Sequence, residues 1–144
     1  MSDPVELASA DSGEGPALVM LHGLYGSGNN WRAIARPLEA SHRVLRPDLR
    51  SHGQSPHCAD MDYRRMAADI VALLDRKGID QADIMGHSMG GKVAMALALT
   101  APARLRRLMV VDIAPMAYNH EAEHGGIIRA MQSIDLAAAP SREA

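Results

Sequence analysis

The stretch Ala82-Asp83-Ile84-Met85-Gly86-His87-Ser88-Met89-Gly90-Gly91 restricts the folds open to this chain more than any other. A short apolar run enters a G-x-S-x-G corner centred on Ser88. An Ala-, Met- and Leu-rich segment leaves it, runs from Met89 to about Ala101 and is closed by Pro102. The first part reads as a strand and the second as a helix that is apolar on nearly every side, hence buried. A strand that turns directly into a buried helix through small residues belongs to an α/β sheet, and it is the setting a nucleophile elbow requires. The spacing alone is a weak signal, because a packing turn with a serine cap satisfies it too.

The remaining chain repeats the same rhythm. Ala17-Leu18-Val19-Met20-Leu21 is a short, unalternating apolar run between turn residues, the pattern of a strand buried on both faces. A Gly- and Asn-rich loop follows, and Asn29 or Asn30 is placed to cap a helix carrying Trp31, Ile34, Ala35 and Leu38. His42 to Arg46 reads as a second strand, and Asp48 to Asp62 as a long polar loop. Tyr63, Met66, Ala67, Ile70, Val71 and Leu74 share one face of a helix that Gly78 ends. Leu108 to Ile113 reads as a fourth strand. A last helix is expected from Tyr118, with Ile127, Ile128, Met131 and Ile134 apolar, and a frayed tail from Leu136. Alternating strands and helices predict the α/β class: a mostly parallel sheet with helices on both faces, a three-layer αβα arrangement.

At 144 residues the chain suits one core. A formal charge of −2 leaves no footprint for nucleic acid. No apolar run reaches the ~20 residues that span a bilayer, and the acidic N-terminus lacks the apolar region of a secretory signal. With one cysteine, Cys58, and no second thiol to pair with, a cytoplasmic setting is expected. Arg104, Arg106 and Arg107 read as a solvated turn. The ten methionines read mostly as core.

In an open α/β sheet, chemistry gathers at the carboxyl ends of the strands. Four such ends are legible: His22-Gly23-Leu24, Arg46-Pro47-Asp48, the Ser88 corner, and Asp112-Ile113-Ala114-Pro115. At the corner, Gly86 and Gly90 remove Cβ atoms that would collide, and Gly91 lets the helix lie close to the sheet. Ser88 is the candidate nucleophile. Acyl transfer also needs donors for an oxyanion. The backbone amide of Met89, just after the serine, is one, and the amide of Leu24 after the first strand is the other. His22, Gly23 and His87 are expected to line the site. The loop Gly23-Leu24-Tyr25-Gly26-Ser27-Gly28 lacks the lysine of a P-loop and the G-x-G-x-x-G spacing, which argues against a nucleotide site.

Taken together, His22-Gly23, Asp48-Leu49-Arg50-Ser51-His52-Gly53-Gln54-Ser55, the elbow GHSMGGK and Val110-Val111-Asp112-Ile113-Ala114-Pro115 resemble the α/β-hydrolase superfamily, and within it the small esterases of the YbfF type. The resemblance runs from about Pro16 to Ser133. It implies a serine hydrolase of carboxylic esters or thioesters, with small-molecule acyl substrates, no metal and no cofactor. On it, residues 1–117 are the N-terminal part of the hydrolase core, and 118–144 are the start of a helical cap and the tail. Asp112 matches the acid after the sixth family strand and so a triad acid, although elsewhere in the superfamily the acid follows the seventh.

The family runs well beyond 200 residues, and its catalytic histidine follows the eighth strand, which has no counterpart here. A serine without a base near pKa 7 in hydrogen-bond reach is a poor nucleophile. Of the seven histidines, His22 and His87 match positions of local hydrogen bonding, and His52 belongs to a strand-end loop. His42 and His57 are expected at the surface. His120 and His124 follow Asp112 in chain order but fall on the cap. The alternative reading is an inactive piece, or an interaction module completed by a second polypeptide. The strand at Leu108 would then present an apolar edge open to self-association.

Overall fold

In the computed structural model, which describes residues 3–135, 137 and 138, one sheet holds five strands: β1 (Ser9–Ser12), β2 (Ala17–Leu21), β3 (Arg43–Pro47), β4 (Ala82–His87) and β5 (Leu105–Val111). Their spatial order is β1-β3-β2-β4-β5. Only the β1–β3 pairing is antiparallel. The β2–β3, β2–β4 and β4–β5 pairings are parallel. Four α-helices accompany the sheet: α1 (Arg32–Leu38), α2 (Tyr63–Arg76), α3 (Met89–Thr100) and α4 (His120–Gln132).

Strand side chains alternate between the two faces. Val19, Leu21, Leu45 and Ile84 pack with Met66, Ile70, Leu73 and Leu74 of α2 and with Val93, Ala94 and Leu97 of α3. Leu18, Met20 and Val44 point the other way, onto Ala35 of α1 and Trp31 just before it. Helices therefore cover both faces, as the strand–helix rhythm predicts, and each fully buried Leu, Ile or Met contributes about 1.5–3 kcal/mol. No helix among the described residues is long and apolar enough to cross a membrane.

Several local expectations are corrected. Neither Asn29 nor Asn30 stands at the cap of α1, which is Trp31 without a side-chain cap bond; Ser27 caps the short turn before it. The Ser27 hydroxyl accepts the Asn29 amide at 3.3 Å, while Asn30 Oδ1 accepts the Ser27 amide at 2.7 Å. A 3₁₀ turn over Gly28–Trp31 precedes α1. Strand β1 is an addition: its sequence SADS has no apolar alternation, yet Asp11 accepts two hydrogen bonds from Arg43 at 3.0 and 2.7 Å. Arg43 holds the Asp11 carboxyl below its ordinary pKa.

The fourth parallel strand is shifted relative to the reading of Leu108 to Ile113, covering Leu105–Val111 instead. Arg106 and Arg107 therefore lie on a strand, not in a turn, and Arg106 grips Asp83 of β4 at 2.9 and 2.6 Å. Arg104 ties the chain before β5 to Asp75 at 2.6 Å. The methionine reading holds for Met20, Met66 and Met89, but Met61, Met109, Met116 and Met131 are exposed. On α3, Leu99 is 85% exposed, so that helix is not buried all round. α4 begins at His120 with Asn119 as its cap, two residues after Tyr118. The reading of a tail from Leu136 falls largely outside the described residues.

Candidate active site

Ser88 sits at the junction of β4 and α3 with φ 50° and ψ −115°. Such a conformation costs a non-glycine residue about 1–3 kcal/mol and persists only where surrounding packing enforces it. Packing does so here. A Cβ on Gly86 would lie 2.2 Å from the Gly90 carbonyl oxygen, and one on Gly90 would lie 2.5 Å from the Leu21 oxygen. A Cβ on Gly91 would meet the Ile113 side chain at 2.5 Å. The strand and helix thus approach too closely for any side chain but hydrogen, and the corner between them has one shape.

That corner opens into a cleft of about 400 Å³. Ser88, Leu24 and Met89 all line it, and Met61, Tyr63, Met66 and Ile113 make its walls largely apolar. His124 of α4 lines the same cleft. The Met89 amide opens α3, where unpaired backbone N–H groups and the helix field favour negative charge.

Leu24 belongs to a tight turn. The Gly26 amide donates to the Gly23 carbonyl at 3.1 Å, and Tyr25, at the third position, has φ 64°. A turn of this kind favours glycine there, so the tyrosine is held against its preference. His22, 1% exposed, lies beneath. Its Nδ1 pairs with the Gly23 carbonyl oxygen at 2.8 Å, and its Nε2 accepts the Leu49 amide at 3.0 Å. A carbonyl only accepts and an amide only donates, so the proton resides on Nδ1 and the ring is neutral. Burial lowers its pKa, consistent with a neutral ring.

The loop after β3 carries most of what sequence reasoning missed. Asp48 accepts the Gly28 amide at 2.7 Å and the Gln54 amide at 2.8 Å. Arg50, 1% exposed, donates to both oxygens of Asp69 at 2.7 Å and to the Asp60 carbonyl at 3.0 Å. Asp69 also accepts the Val5 amide at 2.9 Å. The buried pair thereby clamps the loop to α2 and to the N-terminal segment. The D-x-R-x-H-G spacing was its only sequence signal; the partner Asp69 could not be read from it. Lys92 is a further addition: its Nζ donates to the carbonyls of Ala114, at 2.7 Å, and of Met116, and lies 5.0 Å from the Tyr118 ring centroid.

Asp112 leaves β5 with φ 55°. Its carboxylate is 88% exposed, and the nearest paired group is His87 Nε2 at 3.9 Å. His87 in turn meets Trp31 edge-on, with ring centroids 6.5 Å apart. The structure thus brings Ser88, Leu24 and Met89 to one cleft and His22, Gly23 and His87 to the turn and strand ends beside it. Asp112 stands at the neighbouring strand end, open to solvent. His57 is exposed and His42 half-buried. The side chain of His120 lies outside the described residues. Among those described, no three His, Cys, Asp or Glu side chains group as metal ligands would.

Known proteins share this fold and much of this sequence. Residues 16–132 match the model of the alpha/beta hydrolase fold family. Esterase YbfF of Escherichia coli is 41% identical over 126 residues, which are 88% of this chain and 49% of that protein. The mouse sn-1-specific diacylglycerol lipase ABHD11 is 42% identical over 123 residues, 84% of this chain and 40% of that protein. A solved marine microorganism esterase superposes with a TM-score of 0.92 at 42% identity, covering 96% of this chain and 55% of its own. The chain spans about half the length of the relatives it matches. By sequence and by fold alike, it belongs to the alpha/beta hydrolase family.

Proposed function

We propose that this chain provides the nucleophile and the oxyanion donors of a serine hydrolase acting on carboxylic esters or thioesters with an apolar acyl group. The observation that carries the reading is the left-handed corner at Ser88, opening into a largely apolar cleft shared with Leu24 and Met89. Ser88 Oγ attacks the acyl carbon as its proton passes to a histidine base. The carbonyl electron pair moves onto oxygen, where the Leu24 and Met89 amides receive it. Collapse expels the alcohol or thiol, which takes the proton back, and water releases the acid in a second addition. Asp112 orients the histidine, and α4, whose His124 lines the cleft, begins a cap over it.

We read the general base as a histidine outside the described site, with His124 of α4, which lines the same cleft as Ser88, as the alternative. His22 and His52 each use both ring nitrogens on backbone groups, and His87 stands between Trp31 and Asp112. Added imidazole therefore accelerates turnover of a 4-nitrophenyl acyl ester by the wild-type chain, and not by Ser88→Ala, beyond the rate that imidazole gives without protein. Equal acceleration in both proteins would remove Ser88 from the reaction.

A second reading rests on β5. It ends the sheet, and Leu108 and Met109 are 42% and 54% exposed. An open apolar edge pairs with another chain, which would make this an interaction module completed by a second polypeptide. Sedimentation at rising concentration tests it: wild-type protein associates and Met109→Lys stays monomeric. A monomer throughout would remove this reading.

A further inference from the structure

Besides its own Gly26–Gly23 hydrogen bond, the turn that presents the Leu24 amide is held by two histidines, and only one of them touches the segment after Leu24. Tyr25 is 52% exposed and has φ 64°, so neither burial nor backbone preference keeps it in place. Its amide donates to His52 Nε2 at 3.3 Å, across 27 residues of sequence. The other ring nitrogen of His52, Nδ1, pairs with the Arg50 carbonyl oxygen at 2.9 Å. His52 is 7% exposed, and its ring lies 5.1 Å from that of His22. A carbonyl on one side and an amide on the other fix the proton on Nδ1 and leave the Nε2 lone pair as the acceptor. Arg50 is anchored to Asp69 of α2, so the ring stands on a rigid base.

We propose that His52 is a positioning residue: its Nε2, by holding the Tyr25 amide, keeps the strained turn in the conformation that aims the Leu24 amide at the cleft beside Ser88. This rests on the reading of Leu24 as an oxyanion donor. His22 secures the turn at Gly23, before Leu24. His52 secures it at Tyr25, after Leu24. The Leu24 amide lies between the two anchors, and without the second anchor Tyr25 relaxes toward negative φ and rotates the peptide that carries the donor.

The test compares wild-type protein with His52→Gln and His52→Leu. Both variants lose the Nδ1 donor, but glutamine keeps an acceptor oxygen near the place of Nε2, so their difference isolates the bond to Tyr25. Two quantities are read: hydrogen exchange at the Tyr25 amide, and the rate at which a fluorophosphonate modifies Ser88 with imidazole supplied as base. His52→Leu loses Tyr25 protection and reacts about 10²-fold more slowly, the loss expected for one oxyanion donor. His52→Gln retains most of both. Unchanged Tyr25 exchange in His52→Leu overturns the proposal, as does faster exchange with no slowing of the reaction. If wild-type Ser88 does not react at all, the nucleophile reading fails, and the difference in Tyr25 exchange between the two variants still decides whether His52 holds the turn.

Discussion

The Ser88 amide donates to the carbonyl of Val111 at 3.0 Å, the last rung of the β4–β5 ladder. Ser88 and the residue after Val111, Asp112, therefore leave adjacent strands side by side. Both leave in left-handed backbone, with φ 50° and 55°. Positive-φ non-glycine residues cluster at functional sites, and the two at these neighbouring strand ends support the reading of Ser88 given above.

Strain at Ser88 has a measurable consequence. Ser88→Gly relieves a left-handed conformation and raises thermal stability by about 1 kcal/mol or more, a shift of a few degrees in Tm. Ser88→Ala keeps the Cβ and the strain, so its Tm stays near wild type. Scanning calorimetry of the three proteins checks this ordering. Equal melting of Ser88→Gly and Ser88→Ala would mean that the corner carries no strain.

Arg50 and Asp69 are both about 1% exposed and doubly hydrogen-bonded. Removing one partner leaves the other charge buried without its counter-ion, at a cost of about 3–5 kcal/mol. Arg50→Met is therefore expected to lose a large share of the stability of a domain of this size. The double variant Arg50→Met, Asp69→Leu loses less than the sum of the single changes. Urea unfolding gives both quantities, and a single-variant loss below about 1 kcal/mol would show the pair to be no better than a surface ion pair.

His22 predicts the pH dependence. Burial holds its folded pKa below the ordinary value near 6.5. As the pH falls through that value the unfolded chain takes up a proton that the folded ring refuses. The unfolded state then binds more protons, and stability declines. The contribution is complete above about 6.5 and is lost as the pH drops toward the folded pKa. Between about pH 7 and pH 5 the wild type should lose more stability than His22→Asn, which has no ring to protonate. Parallel pH profiles for the two proteins would contradict this.

The sequence displayed most of what positions the site. β2, β4 and α2 are legible because burial on one or both faces writes itself into local periodicity, and the Ser88 corner is legible because its G-x-S-x-G spacing stands between an apolar strand and an apolar helix. Gly78 ends α2 with φ 65°, as its place in the sequence predicts. The features that escaped depend on contacts far along the chain. Strand β1 exists because β3 offers it a partner and Arg43 reaches Asp11. The start of β5 is disguised by its arginines, of which Arg106 pairs with Asp83. His52 shows its purpose only when the loop after β3 folds back over the turn after β2. Methionine content suggested core packing for most of these side chains, yet Met109 stands at the open edge of the sheet, where no neighbouring strand among the described residues covers it.

The central claim is that the Ser88 hydroxyl is the reactive nucleophile. Treatment of the chain with a fluorophosphonate in the presence of imidazole, followed by peptide mass spectrometry, tests it most directly. A single adduct on the peptide containing Ser88, absent in Ser88→Ala, is the predicted result. An unmodified Ser88, or modification that persists in Ser88→Ala, would contradict it.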